Sequence, residues 1–351
     1  MINRNSTIPA YVQLADLLRK QMASGEIKPG DKLPSETEMI KKYKLARLTI
    51  RDALSILVNE GLLEKHHGKG TFCKSNIIQQ KTRVDLLLNL SDLYFIPYYL
   101  RSICEALEYD NVNVVLSDTK NDVDVICSLL ERLLAEGSGG IIFQPTLETS
   151  VAPEKLVNIL NKLTEANIPY IMVDTKYDNV PASYVIMDEL HTGKIAADYF
   201  VRMGHTSLCA IWQKNRIDSI LRAEGFSKAL SVPPYKIEND ENLAQSLKTL
   251  LENHPDITGI FCYHDGVAKK CYDILNKLHI AIPDKISVIS VDDTIVASTL
   301  SPTLTSVIHP KENLGKAAAN AMLSIISGKT KWPYKKVFEP SLAIRKSCIK
   351  K

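Results

Sequence analysis

From residue 82 onward the chain switches repeatedly between two patterns, and this alternation limits its fold more than any other feature. Apolar runs of strand length (VDLLLN, NVVLSD, GGIIFQP, YIMVDT, SYVIM, LCAIW, GIFCY and ISVISVD) are separated by helix-length segments at 98–107, 123–135, 153–166, 192–203 and 266–278. Continuous apolar runs mark strands buried on both faces, and strands alternating with helices mark parallel sheets covered by helices. The 270 residues from 82 to 351 are too many for one small doubly wound sheet, so two α/β lobes with a cleft between them are predicted. Ligands in open α/β sheets bind at the carboxyl ends of strands, and several of these runs end in polar residues.

The first 73 residues follow another rule. After Pro9, the residues Tyr11, Leu14, Ala15, Leu18 and Met22 recur at helical spacing until Gly25. Ser35 with Glu38 three positions later has the form of a capping box, so a second helix is predicted from Ser35 to about Lys42. After a turn at 43–46, Ile50, Leu54, Leu57 and Val58 share one face of a third helix that Gly61 ends. The string EKHHGKGTF then reads as a hairpin around Gly68 and Gly70, completing a winged helix-turn-helix over 1–73. The polar KSNIIQQK, 74–81, is the predicted linker.

Charge follows the same division. Residues 1–73 carry 12 Lys and Arg against 8 Asp and Glu, leaving 31 against 32 for the rest, so the positive surplus lies at the front, where phosphate would be met. Arg47, Thr49 and Arg51 stand at the start of the third helix, where guanidinium forks and the helix dipole suit guanine and phosphate, although a solvated helix end has the same composition. The tip His67, Gly68, Lys69, Gly70 suits close approach to a groove, or is an ordinary tight turn. Its GKGT is not a nucleotide loop, because the spacing and the strand-to-helix setting are wrong.

Several classes are excluded. No apolar run approaches the ~18 residues of a membrane span, and the amino terminus lacks an export signal, so a cytoplasmic protein is expected. The seven cysteines are scattered and never spaced CxxC, against a disulfide framework or thiolate zinc site. No GxSxG, HExxH or Walker motif suggests an enzyme, and no cofactor or metal is called for.

The run PGDKLPSETEMIKKYKLARLTIRDALSILVNEGLLEKHHGKGTF resembles the DNA-binding domain of the GntR family of bacterial transcription regulators across nearly all of 9–73. That resemblance implies DNA contacts at Ser35, Arg47, Thr49, Arg51, Lys69 and Gly70, with His67 beside them on the wing. It departs at Ala46, where the family usually has Ser, losing a capping hydroxyl. Residues 82–351, through AADYFVRMGHTSLCAI, LRAEGFSKAL, CYHDGVAKK, IPDKISVISVDDT and LTSVIHPKENLGKAAA, resemble the two-lobed, periplasmic-binding-protein-like domain of the LacI and GalR repressors.

What the body's resemblance implies is an effector site. Arg222 matches the arginine that bonds sugar oxygens, and is otherwise a surface helix residue. Asp292, Asp174 and Asp188 match cleft carboxylates, each also placed to cap a turn or helix. His264 stands where the family more often has Asn, His309 where a polar residue reaches the ligand, and Gln144 follows a strand into the same region. Tyr94, Phe95 and Lys120 match loops lining the cleft, and Trp212 ends another strand; the aromatics would stack on a sugar face or belong to the core. The implied function is a dimeric transcriptional repressor that binds double-stranded operator DNA and is released by a small sugar, L-arabinose or another pentose. A sugar-dependent activator, and a different sugar or a sugar phosphate as effector, are the alternatives; an enzyme with a DNA-binding head and a scaffold that reads no DNA are the rival classes.

Overall fold

The computed structural model describes residues 9–23, 25–66, 68–74, 82–91, 96–108 and 112–351. The chain divides into two units at the 81/82 boundary.

In the first unit, α1 (Ala10–Ala23), α2 (Glu36–Tyr43) and α3 (Arg47–Asn59) precede the antiparallel pair β1 (Leu63–His66) and β2 (Gly70–Cys73). The capping box forms as the sequence predicts: the Glu38 amide donates to Ser35 Oγ at 3.3 Å, and the Ser35 amide to Glu38 Oε2 at 2.7 Å. Lys44 closes α2 in the left-handed region, its amide donating to the Ile40 carbonyl. Leu14, Leu18 and Met39 bury against Ile50, Leu54 and Leu57 of α3, which fixes the face α3 leaves to solvent. Gly70 has φ +118°, and a Cβ there would lie 2.9 Å from Lys32 Cε, so the wing needs glycine at this turn.

The second unit begins with β3 (Thr82–Leu88), α4 (Ile96–Glu108), β4 (Val112–Asp118), α5 (Val123–Glu136), β5 (Gly140–Phe143), α6 (Glu154–Glu165), β6 (Tyr170–Asp174) and β7 (Ser183–Met187). The chain then crosses to a second lobe: α7 (Glu189–Arg202), β8 (Leu208–Trp212), α8 (Ile217–Lys228), β9 (Tyr235–Glu238), α9 (Leu243–Asn253), β10 (Gly259–Cys262), α10 (Asp265–Lys277), β11 (Ser287–Asp292), α11 (Ile295–Thr299) and β12 (Thr305–Ile308). It returns with α12 (Lys311–Ile326) and β13 (Lys335–Phe338), and crosses a third time to end in β14 (Ser341–Ala343). The sheet orders are β4-β3-β5-β6-β7-β13, all parallel, and β9-β8-β10-β11-β12-β14, parallel except for β14. Each sheet is buried between helical layers, with Ile141, Phe143 and Met172 in one core and Ile260, Val288 and Cys262 in the other. All eight apolar runs are strands and the five helix-length segments are helices. No helix among the described residues is long and apolar enough to cross a membrane.

Candidate functional site

The carboxyl ends of the two sheets face each other across a cavity of about 380 Å³. Its centre is set by the packing of α7 on α8. A Cβ on Gly193 would lie 1.9 Å from the Arg222 carbonyl oxygen, and one on Gly225 would lie 1.9 Å from that of Leu190, so the backbones touch. This approach brings Glu189, the first residue of α7, onto Arg222 of α8. Arg222 Nε donates to Glu189 Oε2 at 2.6 Å and Nη2 to Oε1 at 3.0 Å, while Nη1 donates to the Tyr263 carbonyl at 2.7 Å and to Asp292 Oδ1 at 3.2 Å. Of five guanidinium protons, four are engaged and one on Nη2 is left for a ligand.

Burial pushes the Glu189 carboxyl above the usual range, partly offset by Arg222. For Arg222 burial works against the charge, but Glu189, Asp292 and Asp218 overcome it and the group stays protonated. A second pair lies alongside: Arg216 donates to Asp218 in bidentate fashion, at 3.0 and 2.8 Å. Burial opposes ionisation of Asp218, and Arg216 outweighs it, holding the carboxyl well below its ordinary value.

The opposite wall comes from the first lobe, with His309 reaching it from the end of β12. Gln144 donates through Nε2 to Asp174 Oδ2 at 2.8 Å, and His309 Nε2 lies 3.1 Å from Asp174 Oδ1. Burial disfavours the Asp174 carboxylate, but His309 and Gln144 bring its pKa below normal. Asp292 and Asp293 both have positive φ, 101° and 48°, and Lys311 Nζ donates to the Asp292 carbonyl at 2.8 Å. Asp265 holds the same turn, accepting from the Thr294 amide at 2.6 Å and from the Ser290 and Ser306 hydroxyls.

The structure thus brings Gln144, Asp174, Arg222, Asp292 and His309 to one cavity. It does not bring four others. Asp188 caps α7, accepting from the His191 amide at 2.8 Å, because a cap side chain turns back on its helix; the neighbouring Glu189 lines the cleft instead. His264 caps α10, its Nδ1 accepting from Gly266 at 2.9 Å, and burial lowers its pKa to about 4, so it is neutral. Lys120 sits in a left-handed turn and is exposed, outside the cavity lining. Trp212 is half-buried under Lys236, also outside it. Tyr94, Phe95 and His67 lie outside the described residues. Glu189, Arg216 and Asp218 were not foreseen from the sequence; the acidic residue next to a predicted cap was the one available signal for Glu189.

On the first unit, Arg47 and Arg51 project from the first two turns of α3, their side chains 64% and 60% exposed, and both meet Glu36, at 3.2 and 3.0 Å. The hydrogen bond from Arg51 lowers the Glu36 pKa, so this carboxylate stays charged between two cations. Ala46 has extended N-cap geometry and offers no side-chain bond. Thr49 is half-buried on α3, whereas Ser35, Lys69 and Gly70 are exposed.

Residues 10–73 match the model of the bacterial regulatory proteins of the gntR family, and 197–348 that of a periplasmic binding protein-like domain. The chain is 27% identical to an arabinose metabolism transcriptional repressor of Geobacillus stearothermophilus, over 98% of this chain and 99% of that one. Among solved structures it is similar to a transcriptional regulator CelR-cellobiose complex (TM-score 0.64, 19% identity, 86% of this chain and 91% of that one). It is also similar to the lac repressor dimer bound to operator and the anti-inducer ONPF (TM-score 0.66, 18% identity, 77% and 95%). The chain joins a winged helix-turn-helix that matches the gntR family model to a body with the lac repressor's fold that matches the periplasmic-binding-protein-like model, and its likeness to the arabinose repressor runs through both parts.

Proposed function

We propose that this protein is a transcriptional repressor that binds operator DNA as a dimer and is released by a small uncharged sugar, L-arabinose or another pentose. The observation that carries the effector class is the charge of the cleft. Asp174, Glu189, Asp218 and Asp292 face Arg216 and Arg222, with His309 bound to Asp174, so the wall holds carboxylates in excess and each cation is already paired. A sugar phosphate would bring two negative charges to a site with no unpaired cation among the described lining residues. A polyol instead donates hydroxyl protons to the carboxylates and accepts the remaining Arg222 proton. The named sugar itself comes from the relatives, which are repressors of arabinose metabolism.

The exposed Arg47 and Arg51 supply the contacts of the DNA-binding half. One recognition helix reads few base pairs, so a two-fold pair of chains on an inverted repeat is the working unit. Linkage then requires that a sugar favouring the released state lose affinity when operator is bound. The test is fluorescence anisotropy with DNA from upstream of the protein's own gene cluster. Release by L-arabinose but not by a pentose phosphate supports the reading; release by the phosphate alone overturns the effector class, and the absence of salt-dependent DNA binding overturns the repressor.

A further inference from the structure

Besides the contact of His309 with Asp174, a backbone hydrogen bond joins the two lobes along the lining of the cavity. Ile217 is the first residue of α8, where an amide has no partner inside its own helix. It donates to the carbonyl of Leu147 at 2.7 Å, on the loop that follows β5 in the other lobe, and both residues line the cavity. The Leu147 amide is held in turn by Asn121, whose Oδ1 accepts from it at 3.1 Å. Asn121 lies beyond β4 with φ 54°, a left-handed conformation that Asn adopts more readily than most residues.

We propose that Asn121 is a positioning residue for cleft closure. Its amide oxygen fixes Leu147 so that the neighbouring carbonyl reaches the first amide of α8, and this latch sets how long the lobes stay closed on the effector. Asn121 is not itself among the residues lining the cavity. The inference deepens the sugar-release reading and rests on it for its ligand arm, though not for its closure arm.

The test compares Asn121→Gly, which keeps the backbone conformation but removes the acceptor, with Asn121→Asp, which keeps both. Hydrogen exchange at the Ile217 amide in the sugar-free protein reads closure directly, because only the opposite lobe protects that proton. Asn121→Gly is expected to speed this exchange about fivefold, as loss of one ordinary hydrogen bond would, and to speed L-arabinose dissociation by about the same factor with association unchanged. Asn121→Asp should match the unaltered protein in both. Unaltered exchange in Asn121→Gly, or Asp behaving as Gly does, overturns the proposal. If the unaltered protein binds no sugar, the function proposed above fails while the exchange experiment still decides the latch.

Discussion

Replacing Arg222 with Ala tests the centre of the cleft. The Arg222 and Glu189 side chains are 4% and 10% exposed, and the bidentate pair is the direct compensation for the Glu189 charge. Removing one partner of a buried ion pair typically costs about 3–5 kcal/mol, because the other charge is stranded, and that is a large part of the ~5–15 kcal/mol that holds a protein folded. Burial already raises the Glu189 pKa while Arg222 restrains it, so the variant raises it further. A carboxyl whose folded pKa exceeds its unfolded one contributes its full stability below the ordinary Glu value and loses it as pH rises through the folded value. The deficit of Arg222→Ala is therefore expected to be small at about pH 4 and to grow toward neutrality. Adding Glu189→Gln should restore part of the loss, because the more deeply buried of the two carboxylates that Arg222 bonds then carries no charge, while Asp292 still lacks its cation. Trp212 and Trp332 are the two tryptophans and both belong to the body, so their fluorescence in urea follows this unit without the head. A loss under about 1 kcal/mol at neutral pH, a loss independent of pH, or a double variant no better than the single one would refute the reasoning.

Three further outcomes follow from other contacts. Arg51→Ala should weaken operator binding about tenfold or more and flatten its salt dependence while leaving sugar affinity intact, measured by anisotropy and calorimetry; loss of both would mean that Arg51 acts through folding. Ala46→Ser should stabilise the head by roughly 1 kcal/mol, since the extended backbone at 46 already fits a cap, and slower exchange in the first turn of α3 would register the gain. Gly225→Ala should destabilise the body by about 1–3 kcal/mol and weaken sugar binding by forcing α7 from α8; urea unfolding and calorimetry that show neither would separate that contact from the site.

The legible parts of this chain are those whose causes are local. The box at Ser35 and Glu38 needs four residues, and the strands buried on both faces announce themselves as continuous apolar runs. The strands that escaped notice lack that signature. In β13 the sequence KKVF is mostly exposed at a sheet edge, and in β12 the buried Thr305 and Ser306 are polar because they bond the Arg345 amide and the turn around Asp293. The site divides in the same manner. Asp292 and Asp174 end strands and so point to a cleft, but Asp188 and Glu189 are adjacent and spacing cannot say which one faces inward. The cap decides it: Asp188 is drawn back to the His191 amide, leaving Glu189 to meet Arg222.

That last contact also shows why charge and packing cannot be separated here. Gly193 and Gly225, inside helices, weaken each helix taken alone, since glycine costs roughly 1 kcal/mol relative to alanine there. Nothing in the periodicity explains them. Across the α7–α8 contact each leaves room for a carbonyl of the partner helix, Arg222 for Gly193 and Leu190 for Gly225. The residues whose backbones touch are thus Arg222 itself and the one beside Glu189. A side chain at either glycine would part the helices and leave a carboxylate and a guanidinium buried out of reach of each other, so helix propensity is given up at two positions to hold the one ion pair on which the chemistry of the cleft turns.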